Sequence, residues 1–286
     1  MMFKQTQYPI HSGSVAAVEF GDSKAADISV VFIHGWLDNA ASFHSVMRQL
    51  SKLAPQLHLC AIDLPGHGLS EHKNGSNFYP FHDYIDDFCQ LMLNFSANKR
   101  VIVGHSLGAL VASCYSAAFP ENVAGLIQIE GYAPLAEPVT ESVARIRQGV
   151  MSRQRLRKKP ERGYDDVSQA IERRSMINHL APELISPVVE RGIKRVGDKW
   201  YWRHDVKLKS ESLYRMSPQH AAEIMNAIRC PHWLILGDQG YQSLKGHRSI
   251  SEQSCLETFT VSGGHHCHLE QPEQVAELIF GVVNKI

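Results

Sequence analysis

Gly104-His105-Ser106-Leu107-Gly108 is a G-x-S-x-G pentapeptide, set between the β-branched run Val101–Val103 and a helical pattern running from Leu107 to Phe119. A serine on so sharp a strand-to-helix turn points its hydroxyl outward, and glycines at 104 and 108 tolerate the close backbone approach the turn demands. Ser106 is therefore the candidate nucleophile. A serine hydroxyl attacks only when a positioned base takes its proton, so a histidine must arrive from elsewhere in the chain. The segment Gly263-Gly264-His265-His266-Cys267-His268 supplies three. Spacing back from Glu270-Gln271-Pro272 selects His265, directly after the glycine pair, with His266 and His268 as fallbacks. The same segment lacks the spaced ligand pairs of a structural zinc site, so no metal is expected there. Acyl transfer also needs backbone donors at the developing oxyanion. The amide of Trp36, in Ile33-His34-Gly35-Trp36, and that of Leu107 at the helix start are the candidates. Trp36, His105, Trp200 and Trp202 are the expected substrate contacts, although the tryptophans read equally as packing.

These residues must be brought together by the elements around them. Ile28 to Ile33, Leu57 to Ile62, Arg100 to Val103 and Val123 to Ile129 read as strands. Helical patterns at Ala41 to Leu53, Phe81 to Phe95 and Leu107 to Phe119 separate them. Such alternation predicts an α/β fold with a mostly parallel sheet, whose ligands gather at the carboxyl ends of the strands. Strand character returns at His232 to Leu236 and Glu257 to Val261, followed by a closing helix from Pro272 to Val283. The sequence thus divides into a core of residues 1–135 and 229–286 and a helical insertion, or cap, of 136–228. Residues 131–229 carry 19 basic and 12 acidic side chains in a chain whose formal net charge is zero. The insertion and the core should therefore attract each other.

Balanced charge, with 29 basic and 29 acidic residues, leaves no overall field for nucleic acid or an anionic membrane. At 286 residues and 44% hydrophobic content the chain can bury a large core. Six scattered cysteines read as buried thiols of a reducing compartment. Neither an export signal nor a run of membrane-spanning length is apparent, so a cytoplasmic location is expected. No phosphate loop or dinucleotide fingerprint occurs, and no cofactor is expected.

Together the pentapeptide, the His265 loop and Asp63-Leu64-Pro65-Gly66-His67-Gly68 resemble the α/β-hydrolase fold with a helical cap, over nearly the whole chain. In finer detail Trp200-Tyr201-Trp202-Arg203-His204-Asp205, with Leu208 and Pro218, is similar to the cap of the serine hydrolase-like subgroup. The resemblance implies an acid after the seventh strand in a G-x-x-D pattern, but Gly237-Asp238-Gln239-Gly240 has glycine in that slot. Two carboxylates remain for orienting the histidine. Asp238 directly follows Gly237, and Glu130 ends the sixth strand, a position some family members use. The longer Glu130 is favoured.

The expected function is a serine hydrolase acting on a carboxylic ester or related acyl compound through an acyl-enzyme. A carbon-carbon bond hydrolase, with insertion arginines holding a substrate carboxylate, is the alternative enzyme. A silent receptor that keeps the fold is the alternative from another class.

Overall fold

The computed structural model describes residues 3–96, 98–158, 161–245 and 256–286. Its main sheet has eight strands. In chain order these are β1 (Lys4–Ile10), β2 (Gly13–Phe20), β3 (Ile28–Ile33), β4 (His58–Ile62), β5 (Lys99–His105) and β6 (Gly125–Ile129), followed after the insertion by β9 (His232–Gly237) and β10 (Leu256–Val261). The spatial order is β1-β2-β4-β3-β5-β6-β9-β10. Six strands, from β4 to β10, run parallel, whereas β2 pairs antiparallel with both β1 and β4. The β1–β2 hairpin escaped the pattern reading because Lys4–Ile10 alternates polar and apolar residues only weakly at an exposed sheet edge.

Central strands covered on both faces must be apolar throughout, which is why Val30–Ile33 and Val101–Val103 are wholly buried. On one face α1 (His44–Leu53) presents Val46, Met47 and Leu50, and α10 (Pro272–Val283) presents Val275, Ala276, Ile279 and Val282. On the other lie α2 (Phe81–Met92), α3 (Leu107–Ala118) and α7 (Pro218–Asn226). Packed between the sheet and other helices, α3 is buried over most of its circumference, so its apolar residues show no single stripe.

Between β6 and β9 the chain leaves the sheet. It forms α4 (Ser142–Lys158), α5 (Val167–Asn178), α6 (Pro182–Gly192), a small antiparallel hairpin of β7 (Ile193–Val196) and β8 (Lys199–Trp202), and α7, which returns to the core. Two short helices, α8 (Gln242–Lys245) and α9 (Cys267–Glu270), flank β10. The charge asymmetry has a concrete outlet in buried ion pairs. Arg174 of α5 reaches Asp38 at 2.5 Å, and Arg191 of α6 reaches Asp63 at 2.9 Å. Asn39 donates to the Val188 carbonyl and the Trp36 indole to that of Leu208, while Ala41 and Leu269 of the core join an apolar cluster with Ile185 and Val189. The loops after β3 and β4 therefore carry the insertion.

Cys60, Cys89, Cys114 and Cys267 are free thiols, and Cys255 lies outside the described residues. No described helix is long and apolar enough to cross a membrane.

Candidate active site

Ser106 follows β5 directly and adopts φ 49°, ψ −116°, a left-handed conformation that costs a non-glycine residue about 1–3 kcal/mol. Its amide is tied to the Ile129 carbonyl at the end of the adjacent strand, and its carbonyl accepts from the Ala109 amide. The flanking glycines are sterically required. A Cβ at 104 would fall within 2.5 Å of the Ala109 backbone, and one at 108 would overlap the Ile33 carbonyl. The helix α3 begins at Leu107, so its amino-terminal amides and dipole are directed at the serine.

Gly35 brings the loop after β3 against this turn. A Cβ there would lie 3.2 Å from that of Ser106 and 2.8 Å from Nδ1 of His105, so only glycine lets the chain pass this close. The Trp36 ring is half exposed while its indole N–H donates to Leu208, making one residue both wall and fastening.

His265 follows β10 and is half buried, with Nδ1 3.4 Å from Oε2 of Glu130. The Glu130 side chain is fully buried at the end of β6, with φ 48°. Its carboxylate is gripped by one amide at the end of β9 and one in the loop after it: Gly237 donates to Oε1 at 2.8 Å and Tyr241 to Oε2 at 3.0 Å. Gly240 lies in the same loop, and a Cβ on it would stand within 2.5 Å of both Glu130 oxygens. The glycine in the slot where the resemblance leads one to expect an acid is thus the space that the Glu130 carboxylate fills. Gly131 is confined too, because a Cβ there would press within 2.8 Å of the Ser106 carbonyl.

Asp238, the other candidate acid, is exposed at the turn after β9. Its Oδ1 accepts from the Gly263 amide at 2.9 Å, fastening the loop that carries His265 rather than meeting the imidazole. The structure sets His265 against Glu130, ties the His265 backbone to His105 beside Ser106, brings Gly35 against the Ser106 turn, and holds Asp238 on the Gly263 amide instead.

Three expected substrate contacts sit elsewhere. His105 is buried beneath the serine, since a strand-end residue next to an outward-facing one points inward. Its Nε2 donates to the His265 carbonyl at 2.9 Å, and burial, reinforced by neighbouring imidazoles, holds its pKa well below the usual range. Trp200 and Trp202 belong to the β7–β8 hairpin, where both pack against the insertion's apolar cluster and the Trp202 ring stacks on His204. The insertion needs those rings for its own small core.

Sequence reading passed over Tyr241, whose half-exposed ring packs 4.3 Å from that of His265. It also passed over Asp38. Burial alone would raise the Asp38 carboxyl, but contact with His266, together with Arg174 and His105, holds it far below the ordinary range. Asp38 and the histidines come from the loop after β3, the end of β5 and the loop after β10, and no linear spacing betrays such a cluster. Burial pushes the thiol of neighbouring Cys267 up to about 12.

Residues 28–172 match the sequence profile of the α/β hydrolase fold. Over 284 residues the chain is 26% identical to a serine hydrolase-like protein of Danio rerio, spanning 95% of this chain and 85% of that one. It is likewise 26% identical to serine hydrolase-like protein 2 of Homo sapiens, across 93% of this chain and 90% of that protein. Among solved structures, a hypothetical protein from Pseudomonas aeruginosa PAO1 superposes with a TM-score of 0.89 at 27% identity, covering 99% of both chains.

Proposed function

Because this chain belongs to the α/β-hydrolase family, we propose that it is a serine hydrolase cleaving a small carboxylic ester or related acyl compound through an acyl-enzyme on Ser106. The observation that carries the reading is the Glu130 carboxylate, clamped by two amides and facing Nδ1 of His265 at 3.4 Å. A receptor has no need to orient an imidazole with a buried carboxylate. Such hydrogen bonds are often long before substrate binds and tighten in the reacting complex.

In this reading Nδ1–H of His265 donates to Glu130, which leaves the Nε2 lone pair to take the Ser106 proton as the hydroxyl oxygen attacks the acyl carbon. The carbonyl electron pair moves onto oxygen, where the Trp36 and Leu107 amides stabilise it. Collapse expels the alcohol, protonated by His265, and leaves the acyl-serine. Water then attacks with His265 as base, releasing the acid and restoring the serine.

Two observations bear on the substrate. The Trp36 and Tyr241 rings are half exposed, the latter beside His265, and suit an apolar acyl or aryl group. Arg145, Arg174 and Arg191 are each committed to a carboxylate, Glu137, Asp38 and Asp63 respectively, which favours an ester over an anionic carbon-carbon substrate.

A fluorophosphonate probe with a short-chain aryl ester assay tests the proposal. Labelling should require Ser106, survive Asp238→Asn and weaken strongly in Glu130→Gln. A folded wild type that neither labels nor turns over ester would refute it and favour the receptor.

A further inference from the structure

We propose that Asp38, His105 and His266 form a site for a divalent transition metal of the zinc, copper and nickel type, and that occupancy of this site inhibits the enzyme. The inhibition rests on the hydrolase reading, whereas the binding does not.

The three side chains converge beneath the serine turn. Nδ1 of His105 stands 3.9 Å from Oδ2 of Asp38, both side chains being 1% exposed. Nε2 of His266 stands 3.3 Å from the same oxygen. One ligand atom from each residue lies within 4.8 Å of the other two. A tetrahedral zinc with bonds of about 2.0–2.1 Å holds its ligand atoms about 3.4 Å apart, so side-chain movements of under about 1 Å close the set.

The hydrogen bonding of His105 leaves a lone pair aimed inward, whereas the Asn178 amide, 3.2 Å from Nε2 of His266, has to give way to a metal there. The His265 carbonyl can only accept, so Nε2 of His105 carries the hydrogen of that bond and Nδ1 of the neutral ring is a bare lone pair. That Nδ1 and Oδ2 of Asp38 are both buried without a hydrogen-bond partner. Two buried acceptors facing each other repel unless a cation lies between them. Arg174 takes Oδ1 of Asp38, leaving Oδ2 free, and orients the carboxylate from outside as second-shell groups do around metals. Two imidazoles and a single carboxylate oxygen suit zinc, copper or nickel better than calcium or magnesium, which prefer all-oxygen sets. The His268 ring lies 4.3 Å from that of His105, with both nitrogens buried and unpartnered.

Metal binding reaches the chemistry through covalent neighbours. His105 precedes Ser106 and holds the His265 carbonyl, and His266 follows His265. Drawing these ligands inward moves the nucleophile and base out of line, and a misplacement of about 1 Å is enough to cost about 100-fold in rate.

The test uses the full chain and Co2+ as a spectroscopic probe, with Zn2+ for inhibition. Wild type should bind one equivalent of Co2+ with the ligand-field band of a four-coordinate site. His266→Gln and Asp38→Asn should weaken binding at least about 10-fold, while Ser106→Ala and His265→Gln leave it unchanged. Zn2+ should inhibit ester turnover in wild type and at least about 10-fold less potently in His266→Gln. If Asp38→Asn fails to fold, His266→Gln, checked by circular dichroism, decides alone. Absence of a Co2+ band in folded wild type overturns the proposal, as does a band lost with His265 but kept without His266. Metal binding in a protein that hydrolyses no ester would leave the site standing and fail the hydrolase reading instead.

Discussion

Replacing Glu130 with glycine and Gly240 with aspartate in one chain should restore a working triad that either change alone destroys. The two positions compete for one volume, since a Cβ at 240 would stand within 2.5 Å of both Glu130 oxygens. Glu130→Gly removes the carboxylate and accepts φ 48° without strain, so the fold should tolerate it. Loss of the orienting acid costs about 10,000-fold in kcat, or about 5.5 kcal/mol at 1.36 kcal/mol per tenfold. Gly240→Asp alone must displace Glu130 by about 1 Å and places two carboxylates in one buried site, for a loss of at least about 100-fold. In the double variant the new aspartate occupies the space vacated by Glu130, close to the Gly237 and Tyr241 amides that now hold that side chain. Its kcat/KM should recover to within about 100-fold of wild type. The assay is aryl ester hydrolysis beside the rate of fluorophosphonate labelling. A double variant no faster than Glu130→Gly would refute the reciprocal exchange, and full activity in Glu130→Gly would remove Glu130 from the triad.

Three further outcomes follow from the same structure. Ser106→Ala should lower kcat by about a millionfold and abolish probe labelling, as expected when a triad acts as a unit. Arg191→Ala leaves the buried Asp63 carboxyl without its ion-pair partner, so unfolding in urea should reveal a loss of about 3–5 kcal/mol, and a shift below about 1 kcal/mol would deny the pair its fastening role. Burial lowers the pKa of His44 to about 4, His204 to about 3 and His232 to about 4. These residues stay neutral in the fold while the unfolded chain takes up protons below about pH 6.5. Stability should therefore be full above pH 6.5 and fall as the pH drops towards 4, with up to about three protons bound on unfolding from these groups; urea midpoints that do not change between pH 7 and 5 would contradict this.

Some of this protein is determined locally and is legible in the linear chain. The strand-turn-helix around Ser106 rests on glycines whose need is set within a few residues, and the β-branched runs of β3 to β6 mark strands buried on both faces. Strands β1 and β2 were not legible, because β1 lies at an exposed edge that imposes no strong alternation and the buried Val15–Val18 run of β2 is short and alanine-rich. The candidate acid was half legible. A carboxylate ending a strand beside Gly131 marked Glu130, but choosing between it and Asp238 required knowing that β6 and β9 are neighbours and that Gly240 leaves room. The roles of His105, Trp200 and Trp202 were beyond sequence reading, since pocket and packing aromatics look alike until their surroundings are known. The same holds for Asp38 with His105 and His266, which lie up to 228 residues apart in the chain yet share one buried space. Sequence alone determined the turn that exposes a serine, because steric demand acts between near neighbours; the tertiary structure decided which acid, which histidine nitrogen and which arginine meet, because charge and lone pairs act through space and are strongest where burial excludes water.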